Sequence, residues 1–144
     1  MFYGKQEYTV DERGRVPVPS DFRAVIADSP VWLVQGADDC LELYPDREFE
    51  RFRQEIEHFP RLSQDGRRIR RAFFSSAQKL NLDKQNRILI PAEIRDERGI
   101  TGTVIFSGRG DVLELWTKAA WEQEQAKFRA EYNDMLERTL EKSQ

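Results

Sequence analysis

The sequence predicts an α+β, mainly β fold built as two pseudo-symmetric halves with flanking helices, and three observations carry that expectation. The stretch DERGRVPVPSDFR, residues 11–23, returns as DKQNRILIPAEIR, residues 83–95, an offset of 72. The same offset, carried forward without a gap, superimposes residues 31–36 on 103–108 and residues 39–44 on 111–116. Over residues 8–53 against 80–125, ten of 46 pairs are identical, where average usage gives about three. Finally, apolar residues alternate with period two inside each copy and turn to helical spacing only after it. The expected organisation is a first repeat over residues 1–60, a basic linker helix over 61–76, and a second repeat with a C-terminal helix over 77–144.

Each copy opens on a strand. Tyr8 and Val10 alternate with Glu7 and Thr9, and Val16 and Val18 resume the alternation after a turn. Gly14 and Asn86 fill the same slot of that turn in the two copies, and these residue types most readily take positive φ. Asp11 and Asp83 stand where a carboxylate accepts backbone N–H groups and closes the turn. Pro17, aligned with Leu89, removes a ladder donor and belongs at a sheet edge or an unpaired site.

Pro19 and Pro91 open short helices over residues 20–27 and 92–98. Residues 31–34 and 103–106 read as buried strands. Turns at 36–39 and 108–111 lead to the L-E-L strands, whose glutamates Glu42 and Glu114 occupy polar slots expected to face water. A helix follows each copy. In residues 46–59 Phe49, Phe52, Ile56 and Phe59 fall at helical spacing, and the second helix starts at the N-cap Thr117 and carries Trp121, Phe128, Tyr132, Met135 and Leu136. The linker helix, residues 63–74, is capped by Ser63, and its arginines Arg67, Arg68, Arg70 and Arg71 read as a solvated face paired with nearby glutamates, with a phosphate-facing surface as the alternative.

Composition bounds the chemistry. Of 144 residues 39% are hydrophobic and 34% charged, as in a globular protein, and no apolar run reaches the length of a membrane span. The opening MFYGKQEYTV has neither the basic region nor the apolar core of a signal peptide, so a cytoplasmic protein is expected. Cys40 is the single cysteine and aligns with Val112, a small apolar position; His58 is the single histidine and aligns with Ala130. A disulfide, a zinc site, a histidine triad, a phosphate loop and a nucleophile elbow all lack their residues. No cofactor, no small-molecule substrate, no membrane partner and no catalysis are expected.

The net charge is −3, yet charge is segregated. Residues 61–71 hold five arginines against Asp65, and the first turn holds Arg13 and Arg15. With Lys84 and Arg87 in the second turn, these place cationic donors on two hairpin tips, and arginine on a β-ribbon suits a DNA groove. The DNA-binding candidates are therefore Arg13, Arg15, Lys84 and Arg87, with Asp11, Gly14, Asp83 and Asn86 as the turn-forming support. Pairing of Arg15 with Asp11 and of Arg87 with Asp83 would brace the same turns. Arg23 and Arg95 are expected to form ion pairs inside their lobe, with Asp39 and Asp111.

At these residues the chain resembles the MraZ family. Its two motifs D-E-R-G-R-V-P-V-P-S-D-F-R and D-K-Q-N-R-I-L-I-P-A-E-I-R look like the two Asp-x-x-x-Arg loops of that family, each followed by G-x-x-D-x-L-E-L. The resemblance implies a swapped-hairpin β-barrel of AbrB type and ring-like homo-oligomers. It also implies a nucleoid-associated transcriptional regulator that binds double-stranded DNA at short direct repeats upstream of a division and cell-wall gene cluster. Gln85 and Asn86 depart from the family's second-loop pattern. AbrB-type barrels also serve as protein-interaction modules, antitoxins among them, and that is the rival expectation.

Overall fold

The computed structural model describes residues 1–26 and 28–143. Strands β1 (Lys5–Val10) and β2 (Arg15–Pro17), helix α1 (Ser20–Ile26), strands β3 (Val31–Gln35) and β4 (Leu41–Pro45) and helix α2 (Asp46–Glu57) make the first half. Helix α3 (Gln64–Ser76) links it to β5 (Gln78–Leu80), β6 (Arg87–Leu89), α4 (Ala92–Arg98), β7 (Gly102–Gly108), β8 (Leu113–Thr117) and α5 (Lys118–Lys142). Every element but α3 has its counterpart in the other half. The helix expected over residues 20–27 ends its described part at Ile26, and Ala27 lies outside the described residues. α2 stops at Glu57, short of Phe59, and α3 runs on to Ser76.

Helix starts follow local chemistry. The Ser63 hydroxyl accepts from the Gly66 N–H at 2.9 Å, and the Thr117 hydroxyl accepts from the Ala120 N–H at 3.1 Å, so each satisfies a donor that the first helical turn leaves over. Pro91 precedes α4, and Gly99 closes it in the left-handed conformation at φ 64°.

Pairing crosses the repeat boundary. A six-stranded sheet runs in the order β1-β7-β8-β4-β3-β5, and β2 pairs with β6 in a separate antiparallel ribbon. The leading strand of each half thus lies against the other half: β1 on β7, β5 on β3. Two strand registers place a residue opposite its own counterpart at the offset of 72, Val16 opposite Ile88 in the ribbon and Glu42 opposite Glu114 in the sheet. The pseudo-twofold axis passes through both pairs.

One apolar core serves both halves. Val10, Val16, Phe22, Ile26, Leu33 and Leu43 of the first pack with Ile88, Ile90, Ile94, Val104, Phe106 and Leu115 of the second, nearly all of them fully buried. A second cluster, Val34, Tyr44, Phe49, Ile56, Phe73 and Val112, seats α2 and α3 on the sheet. There the Trp32 and Phe49 rings stack with centroids 4.1 Å apart. Cys40 is buried with Ile105, Trp116 and Ala120 beneath α5, and burial pushes its thiol pKa up.

The structure bears on two further expectations. No closed barrel is found among the described residues: beyond the turn, the ladder of β2 is made with β6 and not with β1, so no continuous ladder joins the two sheets. Glu42 and Glu114 do not face water. They are 6% exposed, because β4 and β8 are adjacent inner strands of the six-stranded sheet, covered on both faces.

Candidate nucleic-acid interface

The two turns repeat each other bond for bond. Asp11 Oδ1 accepts from the Arg13 and Arg15 amides at 3.0 and 2.9 Å, and its Oδ2 accepts from Arg15 Nε at 2.7 Å. Asp83 Oδ1 accepts from the Gln85 and Arg87 amides at 2.8 and 3.0 Å, and its Oδ2 from Arg87 Nε at 2.8 Å. The main chain closes each loop with an Asp11 N–H donating to Arg15 O and an Asp83 N–H donating to Arg87 O, both at 2.9 Å. Backbone donation from Arg15 and from Arg87 is the main cause that holds the two aspartate pKa values below the usual carboxylate range, and the ion pairs add to it.

The left-handed slot is real in both copies, Gly14 at φ 90° and Asn86 at φ 61°. In the first copy it is also a space requirement. A Cβ on Gly14 would collide with the Arg95 guanidinium and come within 2.9 Å of the Ile90 carbonyl.

The ribbon gives the arginines their direction. The N–H of Val18 donates to Asn86 O and that of Ile90 to Gly14 O, so residues 16 and 88 between them form a hydrogen-bonded pair and residues 15, 17, 87 and 89 stand in the non-bonded pairs. Val16 and Ile88 are fully buried, which turns Arg15, Pro17, Arg87 and Leu89 to the opposite, outer face. Pro17 therefore sits where no ladder donor is needed, and Leu89 is 53% exposed. The Arg15 and Arg87 side chains, 32% and 24% exposed, lie diagonally on this face, and Arg87 Nη1 reaches within 4.0 Å of Asp11 Oδ2, so the two turns are electrostatically linked. Arg13 and Lys84 are exposed at the tips and form no ion pair among the described residues.

Arg23 and Arg95 do not pair with Asp39 and Asp111. Arg95 turns back beneath the first loop and its Nε donates to the Ile90 carbonyl at 2.9 Å, while Asp39 faces Arg98 Nη1 at 3.4 Å. Arg23 Nε is buried and has no partner among the described residues. In the linker, Arg67 donates to the carbonyls of Arg61 and Leu62, and Arg70 donates to those of Ile56 and Glu57 at the end of α2. These two arginines close helix and loop ends; Arg68 and Arg71 remain exposed.

Sequence reasoning missed a buried charge cluster on the pseudo-twofold axis. Arg109 pairs with Glu42 at 2.6 Å and with Glu114 at 2.7 Å. The available signal was the identity of Glu42 and Glu114 at the repeat offset. Their clamp was hidden because Arg109 aligns with Ala37 and has no echo in the first half.

A duplicated α+β domain carrying matched cationic turns on a two-stranded ribbon defines a class of ribbon-bearing protein with a basic outer face. The family model described as "MraZ protein, putative antitoxin-like" matches twice, over residues 1–72 and 73–142. The chain is 30% identical over 141 residues to a protein of Heliobacterium modesticaldum, covering 98% of both chains. It is 37% identical over 123 residues to one of Thermoanaerobacter pseudethanolicus, covering 85% of both. It is 36% identical over 138 residues to one of Mycoplasmoides gallisepticum, covering 95% of this chain and 96% of that one. Each of the three is named Transcriptional regulator MraZ. The chain belongs to the MraZ family.

Proposed function

We propose that this protein is a sequence-specific, non-enzymatic DNA-binding transcriptional regulator. It binds short direct repeats upstream of the division and cell-wall gene cluster as a homo-oligomeric ring, in the cytoplasm and on the nucleoid. The observation that carries this reading is the outer face of the β2-β6 ribbon, where Arg15 and Arg87 are aimed by Asp11 and Asp83 while Arg13 and Lys84 stand free beside them. The names of the relatives agree with it. The exchange of leading strands between halves supports the swapped-hairpin assignment.

A single protomer neutralises few phosphates and binds weakly, whereas a ring that presents several ribbons to an array of repeats gains by effective concentration. The outer half of α5 offers a surface for such assembly, with Tyr132, Leu136 and Leu140 at 59%, 44% and 54% exposed. The same face favours the rival reading, a protein-interaction module without DNA readout. A band-shift titration with the region upstream of the protein's own operon separates them. DNA binding falls steeply as salt rises and is lost in the Arg15→Ala/Arg87→Ala double variant; a double variant that binds like wild type overturns the assignment.

A further inference from the structure

The two halves treat one arginine differently. Arg95, on α4, lies under the first loop because Gly14 leaves room for its guanidinium, and there its Nε is satisfied by the Ile90 carbonyl. Arg23, on α1, is its counterpart and faces the second loop, where Asn86 replaces the glycine. A Cβ in that slot occupies the space that the guanidinium fills in the first half. Arg23 is accordingly left with a buried Nε–H that has no partner among the described residues, and the side chain lines a cavity of about 180 Å³.

The walls of that cavity are Arg23, Asp28, Ser29, Asn81, Asp83 and Asn86, with Leu82. Asp83 is bonded to its own turn and to Arg87, and it forms no ion pair with Arg23 among the described residues. Asp28 is exposed, and among the described residues it forms no ion pair with Arg23. What remains is a guanidinium that makes no hydrogen bond or ion pair among the described residues, on a side chain that lines one small space together with a hydroxyl and two side-chain amides. That donor set suits a tetrahedral oxyanion, and arginine is the side chain that grips phosphate in a fixed geometry. Lys84 and Arg87 stand on the same loop as Asp83 and Asn86, which line the recess, so the recess and the second cationic tip share one loop.

We propose that Arg23, with Ser29, Asn81 and Asn86, forms a phosphate-binding recess beside the second loop, and that it holds a backbone phosphate of the duplex bound by the ribbon. The assignment of the duplex rests on the DNA-binding reading above; the recess itself does not. It makes the two loops unequal. The first, where Arg95 is already satisfied, contacts DNA through its tip alone, while the second adds an anchor that fixes register without reading bases.

The test uses the full chain. Arg23→Gln lowers affinity about tenfold at low salt, the loss expected for one hydrogen bond to a charged group. The loss is equal on repeat and scrambled duplexes, and the salt slope falls by about 0.9 for the one phosphate released. Asn86→Gly keeps the left-handed turn but removes the Cβ, letting Arg23 fold under the loop as Arg95 does, and it reproduces the loss with Arg23 intact. Both variants binding and titrating with salt like wild type overturns the duplex anchor.

The ¹H–¹⁵N signal of the Arg23 side chain in wild type reads the recess directly, whatever the variants do to folding. It shifts on adding inorganic phosphate and on adding duplex. A response to phosphate but not to duplex leaves a free-anion site and overturns the DNA anchor; a response to neither overturns the recess. A wild type that binds no duplex in band shifts sinks the DNA reading alone, and the phosphate titration still decides the recess.

Discussion

Glu42 and Glu114 stand opposite each other at the centre of the six-stranded sheet, and one guanidinium, Arg109, is bonded to both. Trp116 Nε1 donates to Glu114 Oε1 at 3.1 Å, and the Tyr44 hydroxyl donates to Glu42 Oε1 at 3.3 Å. Two buried like charges on a symmetry axis repel, so the single arginine decides whether the centre of the sheet is tolerable.

Arg109→Ala removes the clamp and leaves two carboxylates facing each other. Breaking a fully buried pair costs about 3–5 kcal/mol; because Arg109 is itself 46% exposed, a loss of about 2 kcal/mol is expected. Urea denaturation measures it. The loss shrinks in a Glu42→Gln/Glu114→Gln background, where there is no charge left to clamp. An equal loss in both backgrounds would assign the effect to packing of the arginine stem.

Acid should loosen the two turns. Asp11 and Asp83 titrate lower in the folded chain than in the unfolded one, so below the usual carboxylate range the unfolded state binds more protons. Their contribution is complete above that range, roughly above pH 5, and drains away as pH falls through the lowered values. Melting temperature against pH checks this. The Asp11→Asn/Asp83→Asn variant has a shallower acid limb than wild type.

Gly14→Ala meets both a left-handed backbone and the Arg95 guanidinium. A loss on the order of 1–3 kcal/mol is expected by chemical denaturation, together with weaker DNA binding, since the first tip can no longer close over Arg95. Asn86→Gly at the matching position should change stability by well under 1 kcal/mol. Equal costs at the two positions would contradict the asymmetry between the loops.

Arg13→Ala and Lys84→Ala touch no ion pair among the described residues, and thermal stability should stay within about 0.5 kcal/mol of wild type. Binding should still weaken, with a smaller salt slope. Arg15→Ala differs: it frees Asp11 as well and lowers stability and affinity together. Band shifts at graded salt, run beside melting curves, separate the two behaviours.

Val16→Ala and Ile88→Ala empty opposite sides of one contact on the pseudo-axis. Each should cost about 1–4 kcal/mol, and because the residues touch, the double variant should depart from the sum by at least about 0.5 kcal/mol. Strict additivity in a double-mutant cycle would place the ribbon outside the shared core.

Much of this architecture was legible because the repeat supplies its own control. Gly14 against Asn86 revealed the left-handed slot, and Ser63 and Thr117 marked helix starts by the donors they satisfy. The bracing of the turns by Arg15 on Asp11 and Arg87 on Asp83 was legible as well. The cross-pairing of β1 with β7 was not, since alternation fixes which face of a strand is buried but not which strand lies beside it. The same alternation misplaced Glu42 and Glu114, because it assumes one wet face and β4 and β8 have none. Arg23 was misread for a subtler reason: its identity with Arg95 suggested an identical role, while the change from Gly14 to Asn86 between the two loops gave it a different neighbour.

The traded leading strands mean that the covalent joint between the halves is dispensable once the chain has folded. A proteolytic nick between α2 and α3 would leave two fragments, each gripped by the other through a full edge of main-chain bonds and a common interior. Such a nicked molecule should migrate as one species until denatured. Either fragment made alone would have to find a second copy of itself to stand in for its missing sibling.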